Sequence, residues 1–285
     1  MYCRIGYPEA VLVFRLFPAV VTLLVLNLTP AAEAQEDTWK DLVTEGQHAA
    51  SNNEYSKAEQ SFLKAVHEAE RFAMDNWRVG TTLETLGQVY TAEKKFSEAE
   101  SAYRRSLEIA SKADDGAEEV ADLNLDMANL MFSAGRQTEA LTWGRKAVSA
   151  YENSAGGTSL QTAAALCLVG DSLRSMKNFI DAEEPLRRCA DIREKDGGID
   201  SVELADALHS LALTYTGERK YAMAETRFRL VEKIRENKLG LTSPLLAQTM
   251  EDHAALLRAM GLDKDAERLM MMAAAIRGNG KKNAR

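Results

Sequence analysis

The chain is short of the residues that break helices and of those that carry chemistry. Five prolines occur in 285 residues, and three of them (Pro8, Pro18, Pro30) stand in the first thirty, leaving Pro185 and Pro244 for the rest. Aromatic residues make up 7% of the chain, and no run of alternating β-branched residues reads as a strand. Alanine, leucine, glutamate, arginine and methionine fill the remainder, which favours helix throughout. Cysteine is scarce too. Cys3 lies before the N-terminal apolar stretch, so Cys167 and Cys189 alone follow it, which is no disulfide scaffold. Four histidines, His48, His67, His209 and His253, are scattered along the chain and give no metal-ligand spacing. There is no nucleophile elbow, phosphate loop or His-Glu-x-x-His, and the acidic stretches 114–119 and 196–200 lack the alternating ligands of a calcium loop. No catalytic residue, metal or cofactor is expected.

Charge excludes two further classes of partner. The formal net charge is −8, and Arg4, Glu9, Arg15 and Glu33 cancel within residues 1–34, so the acidity belongs to the remainder. An acidic chain is unsuited to nonspecific nucleic-acid binding or to docking on anionic lipid through a basic patch. Residues 16–28 are thirteen without a charge, preceded by Arg4 and Arg15 and followed by Ala32-Glu33-Ala34. That pattern reads as a signal peptide over residues 1–34, cut before Gln35, with an uncleaved anchor as the alternative and the one route to a membrane. Either way the expected location is secreted or periplasmic. Residues 278–285 are expected to form a flexible basic tail.

What is present is a repeat. Ala58, Ala99, Ala140, Ala182, Ala224 and Ala266 each stand in a similar stretch, at separations of 41, 41, 42, 42 and 42 residues. Twelve residues before each stands a tiny side chain: Gly46, Gly87, Ala128, Gly170, Ala212 or Ala254. Three residues after that come Ala49, Tyr90, Met131, Leu173, Tyr215 and Leu257. Four residues after each central alanine come Phe62, Tyr103, Gly144, Leu186, Phe228 and Met270. The spacing predicts paired helices, A and B, whose close approach needs the tiny residues while the bulky ones fill the space beside them. Helix starts are expected at the capping boxes Asp115–Glu118, Thr158–Gln161 and Asp200–Glu203, and at Ser243-Pro244. Gly156-Gly157, Gly197-Gly198 and Gly240 suit helix ends. Pro185, early in a B helix, should distort it without breaking it.

Leu83-x-x-Leu86-Gly87-x-x-Tyr90, followed by Ala99-x-x-x-Tyr103, resembles the tetratricopeptide repeat pattern. The second and fifth copies fit best, and the third is weak, with Gly144 where an aromatic belongs. The period of about 42 is similar to that of the kinesin light chain group. The resemblance implies an all-α, right-handed superhelix (an α-solenoid) of six repeats over residues 39–277, with a concave groove lined by one face of the A helices. Stepping along that face gives Glu84, Gln88, Asp122, Asn129, Phe132, Asp171, Arg174, Asp206, His209, Glu251 and Arg258. Cys167 falls on the same inner face and Cys189 inside the A/B pair, so they are expected to stay apart as small apolar filler. The function expected is a non-catalytic scaffold that binds a peptide or protein segment in the groove. The alternatives are a self-associating envelope protein using the Met270–Met272 cluster, or a small-molecule-binding solenoid.

Overall fold

A computed structural model describes residues 29–71, 76–114, 116–154 and 156–283, so nearly all of the expected signal segment lies outside the described residues. Among those residues twelve helices follow one another and there is no strand. The first three pairs are α1 (Thr29–Ser51) with α2 (Tyr55–Arg71), α3 (Asn76–Ala92) with α4 (Phe96–Ala110), and α5 (Ala117–Ser133) with α6 (Gln137–Ser154). The last three are α7 (Leu160–Ser175) with α8 (Phe179–Gly197), α9 (Val202–Gly217) with α10 (Tyr221–Leu239), and α11 (Pro244–Ala259) with α12 (Asp263–Asn283). Each helix packs on its sequence neighbours, which makes an all-α repeat superhelix. None of the described helices is long and apolar enough to cross a membrane.

The tiny residues sit where the A and B helices touch. A Cβ on Gly46 would stand 2.8 Å from the Phe62 ring, one on Gly87 2.7 Å from Tyr103, and one on Gly170 2.4 Å from Leu186. All six central alanines are fully buried. The third repeat solves the same packing problem differently. Gly144 faces Val169 of the following repeat, whose Cγ2 would be 3.0 Å from an added Cβ. The missing aromatic is therefore replaced by a side chain arriving from α7. Because these contacts leave no spare volume, Ala224→Leu should cost about 1–3 kcal/mol by overpacking. Glu225→Gln, on the outer surface, should change stability by less than roughly 0.5 kcal/mol in the same urea titration.

The cysteine expectation fails. Cys167 and Cys189 form a disulfide between α7 and α8, with Cα atoms 5.5 Å apart. The reason is the antiparallel pairing itself. Where Gly170 faces Leu186, residues one turn earlier on α7 face residues one turn later on α8, which brings position 167 to position 189. Cys167 borders the groove and also the pair interior, and the second contact decides its chemistry.

Turns and caps show a regularity that the side chains hide. The residue five positions before each central alanine has φ between 60° and 77°: Asn53, Lys94, Gly135, Lys177, Arg219 and Gly261. All six A-to-B turns thus close through one left-handed residue, four of them without glycine. The helix starts fall one residue later than the capping boxes suggest. Ser159 accepts from the Thr162 N–H at 3.0 Å and Ser201 from the Leu204 N–H at 3.2 Å, whereas α5 starts after Gly116 with no side-chain cap. A serine hydroxyl at that place reaches the third helical N–H, so the box's first residue is displaced from the cap. Ser243 and Pro244 take the positions expected of them, and Gly198 and Gly240 end α8 and α10 at positive φ. α8 runs unbroken through Pro185. α12 continues to Asn283, so residues 278–283, expected as a frayed tail, are helical.

Curvature follows from which helices meet across repeats. The odd-numbered helices from α3 to α11 touch one another in succession, and no even-numbered pair makes a comparable contact among the described residues. The A helices therefore line the inner side. Outside, Glu59–Lys95 at 2.7 Å, Glu100–Arg136 at 2.6 Å and Glu183–Lys220 at 2.6 Å link successive repeats by the same positions. Such exposed pairs add little each, and their recurrence reports register more than strength.

Candidate functional site: the concave groove

The expected groove residues fall into two groups with opposite electrostatics. Toward α7–α12 the carboxylates are already matched within the chain. Asp171 and Arg174 pair with each other at 3.0 Å, and Asp206 meets the buried Arg235 at 2.8 Å. Glu251 is held in a fork by Arg277 at 2.6 Å. His209 has only 8% of its surface exposed, packs edge-on against Phe228 and meets Asp252 at 2.9 Å, so it belongs to the inter-repeat core. Arg258 is exposed.

Toward α3–α5 the carboxylates gather instead. Glu84 on α3 lies among Asp126, Asp122 and Glu119 of α5, and burial followed by these three like charges pushes its carboxyl up to about 7. Asp126 is pushed up to about 6, chiefly by burial with Asp122 adding to it, although Gln88 Nε2 donates to it at 3.1 Å and pulls the other way. Tyr151 of α6 donates to Asp122 at 2.5 Å, and burial with this carboxylate raises the phenol. Asn129 is exposed beside them, and Phe132 is half-buried against the core of the first three repeats.

At the N-terminal ends of α3 and α5 the same surface opens into a cavity of about 490 Å³. Trp77, Gly80 and Glu84 of α3, Ile109 and Ala110 of α4, and Glu119 of α5 form its walls. Three of the important groups, Asp126, Glu119 and Trp77, are absent from the sequence expectation. Asp126 was within reach, since it lies one helical turn after Asp122 and follows the same face. No group of three His, Cys, Asp or Glu residues is placed to hold a metal ion among the described residues.

The acidic floor carries a testable linkage. A carboxyl held near 7 in the folded state, against 4.5 in an ordinary environment, binds its proton more tightly folded than unfolded. The stability this lends at low pH is lost as pH rises from about 4.5 to about 7. Glu84→Gln removes that loss. Its stability relative to the parent should rise by on the order of 1 kcal/mol between pH 4.5 and 7.5, once solvent screening is allowed for, as read by urea midpoints across pH.

Comparison with known proteins agrees with this architecture. Two family models described as tetratricopeptide repeat match, one over residues 119–195 and one over residues 81–112. Over these segments the chain is similar to tetratricopeptide repeats. The fold is shared with solved structures at low identity. BtubC (BKLC) from P. vanneervenii is 23% identical over 80% of this chain and 92% of its own, with a TM-score of 0.70. A Podosopora anserina protein of nearly identical kinesin light chain TPR-like repeats is 16% identical over 71% of this chain and 96% of its own, with a TM-score of 0.62. A Rap protein complexed with competence and sporulation factor is 16% identical over 88% of this chain and 79% of its own, with a TM-score of 0.57. No curated protein sequence matches the chain. The matched segments span most of α3–α4 and of α5–α8, and the acidic floor of the groove lies within them.

Proposed function

We propose that the chain is an exported, non-catalytic interaction scaffold that holds a peptide or protein segment in the concave groove of its tetratricopeptide repeats. The observation that carries this is the uncompensated acidic floor around Glu84, Asp122 and Asp126, in a molecule whose other expected groove carboxylates, Asp171, Asp206 and Glu251, are paired internally. Segregated charge of this kind serves recognition better than stability. The same raised carboxyls would suit an acid or base, but they face an open groove, and burial followed by the crowding of like charges accounts for them without a reaction. Complex formation by a Rap protein of this fold is consistent with a groove used for binding. The Cys167–Cys189 bridge supports export, since disulfides persist in oxidising compartments.

The test places a photocrosslinking residue at Asn129, exposed in the groove, or at Arg145, exposed on the outer helix α6. Crosslinks to a partner from position 129 and not from 145 are expected. Crosslinks from 145 alone, or from neither, would overturn the reading. A second reading, self-association, is favoured by the exposed Met271 and Met272 on the terminal helix. Light scattering that shows a dimer converted to monomer by Met271→Lys would select it, and a monomer unaffected by that change would remove it.

A further inference from the structure

We propose that the cavity between α3, the end of α4 and the start of α5 receives a lysine or arginine side chain from the segment bound in the groove. This rests on the groove reading above and gives it a chemical address. The cavity is large enough for a long side chain, and its walls are of two kinds. Ile109 and Ala110, together with the half-exposed Trp77, offer apolar surface to a methylene stem. Glu84 and Glu119 offer carboxylates to the charged head, and Asp122 and Asp126 stand beyond them in the groove.

The chain's own cations do not fill this role. Lys112 lines the cavity, but Glu108, which does not line it, holds its ammonium at 2.7 Å. Arg78, near Trp77 on α3, is paired with Glu36 at 3.1 Å and lies over the indole rings of Trp39 and Trp77. The groups that act electrostatically on Glu84 are Asp126, Asp122 and Glu119, all on α5 and all of one sign. Tyr103 of α4 and Tyr151 of α6 lie close enough for Glu84 to raise their phenols in turn. A positive head placed among them would convert mutual repulsion into attraction, and nothing comparable is needed at Asp171, Asp206 or Glu251, which are already matched. The wall of apolar atoms distinguishes this cavity from a plain acidic patch, because it selects a cation carried on a long stem of a polypeptide over a free ion.

The test titrates the full chain with a hexa-arginine peptide, using hexaglutamate and spermine as comparison probes and indole fluorescence as the readout. Saturable binding of hexa-arginine is expected, tighter at pH 8 than at pH 5.5 as the floor loses its protons. Glu84→Gln should weaken it about tenfold or more, the value of one charge-assisted hydrogen bond. Ala113→Trp, an exposed position on the cavity rim that fills the space, should weaken it similarly, while Glu225→Gln on the outer surface should leave it unchanged. Equal binding by the parent, Glu84→Gln and Ala113→Trp would overturn the proposal, as would spermine or hexaglutamate binding as tightly as hexa-arginine. If the Asn129 crosslink survives while hexa-arginine ignores the cavity, the groove reading stands and this one falls. Loss of both removes their shared premise.

Discussion

Phe228→Ala is expected to lower the unfolding free energy by about 3–5 kcal/mol, the largest effect of any single truncation in the array. Phe228 is fully buried on α10, in the place that Phe62 and Tyr103 occupy in earlier repeats. Its ring is stacked on His253 of α11 at 5.4 Å and meets His209 of α9 edge-on at 5.8 Å. Three helices from two repeats therefore share one side chain. Neither histidine can readily fold into the hole that alanine would leave. His209 is tied to Asp252 and His253 to Glu232, each at 2.9 Å. A site that cannot collapse retains its cavity, which puts the cost toward the upper end of the range. Urea titration should show the loss, and Phe228→Leu, which keeps most of the volume, should recover more than half of it. If alanine costs less than 1 kcal/mol, the coupling of the fifth and sixth repeats through this ring is wrong.

Removing the Cys167–Cys189 bridge is expected to cost about 3 kcal/mol, from the entropy released when a loop of this length is no longer closed in the unfolded chain. The two positions are 22 residues apart and lie in one helix pair. The loss should be local, because repeat arrays are stabilised by each pair and its immediate neighbours. Amide exchange in α7 and α8 should quicken more than in α1 and α2. Dithiothreitol should lower the melting temperature of the parent by roughly 6–12 °C. The doubly substituted Cys167→Ser, Cys189→Ser chain should melt low and be indifferent to the reductant. A parent that is equally indifferent would mean that the bridge does not bear on the repeat's stability.

The helix pairs were readable because close packing writes itself at fixed intervals. A glycine whose Cβ would strike a ring, as Gly87 against Tyr103, cannot drift along the chain without losing the contact. The alanines at 58, 99, 140, 182, 224 and 266 keep period for the same steric reason. What escaped was whatever depends on a partner from another helix. Arg235, Asp252 and Arg277 pair with groove residues from 29, 43 and 26 positions away, and no face drawn on one helix displays them. The disulfide escaped for the opposite reason. Position 167 was assigned by its own helix face, while the pairing of Gly170 with Leu186 already placed it against position 189. Val169 filling the gap at Gly144 is a third case, since it borrows across a repeat boundary that the sequence pattern treats as a wall.

The left-handed residue in each A-to-B turn sets how this molecule can change over time. Asn53, Lys94, Gly135, Lys177, Arg219 and Gly261 make six interchangeable hinges in one rod, at a spacing of 41 or 42 residues. A gain or loss of 41 or 42 residues in phase with them returns the chain to an equivalent joint. A gain or loss of any other length puts a helix residue where the bend must be. The groove can therefore be lengthened or shortened in whole rungs, like a ladder, and the length of partner it spans is counted in units and not tuned residue by residue.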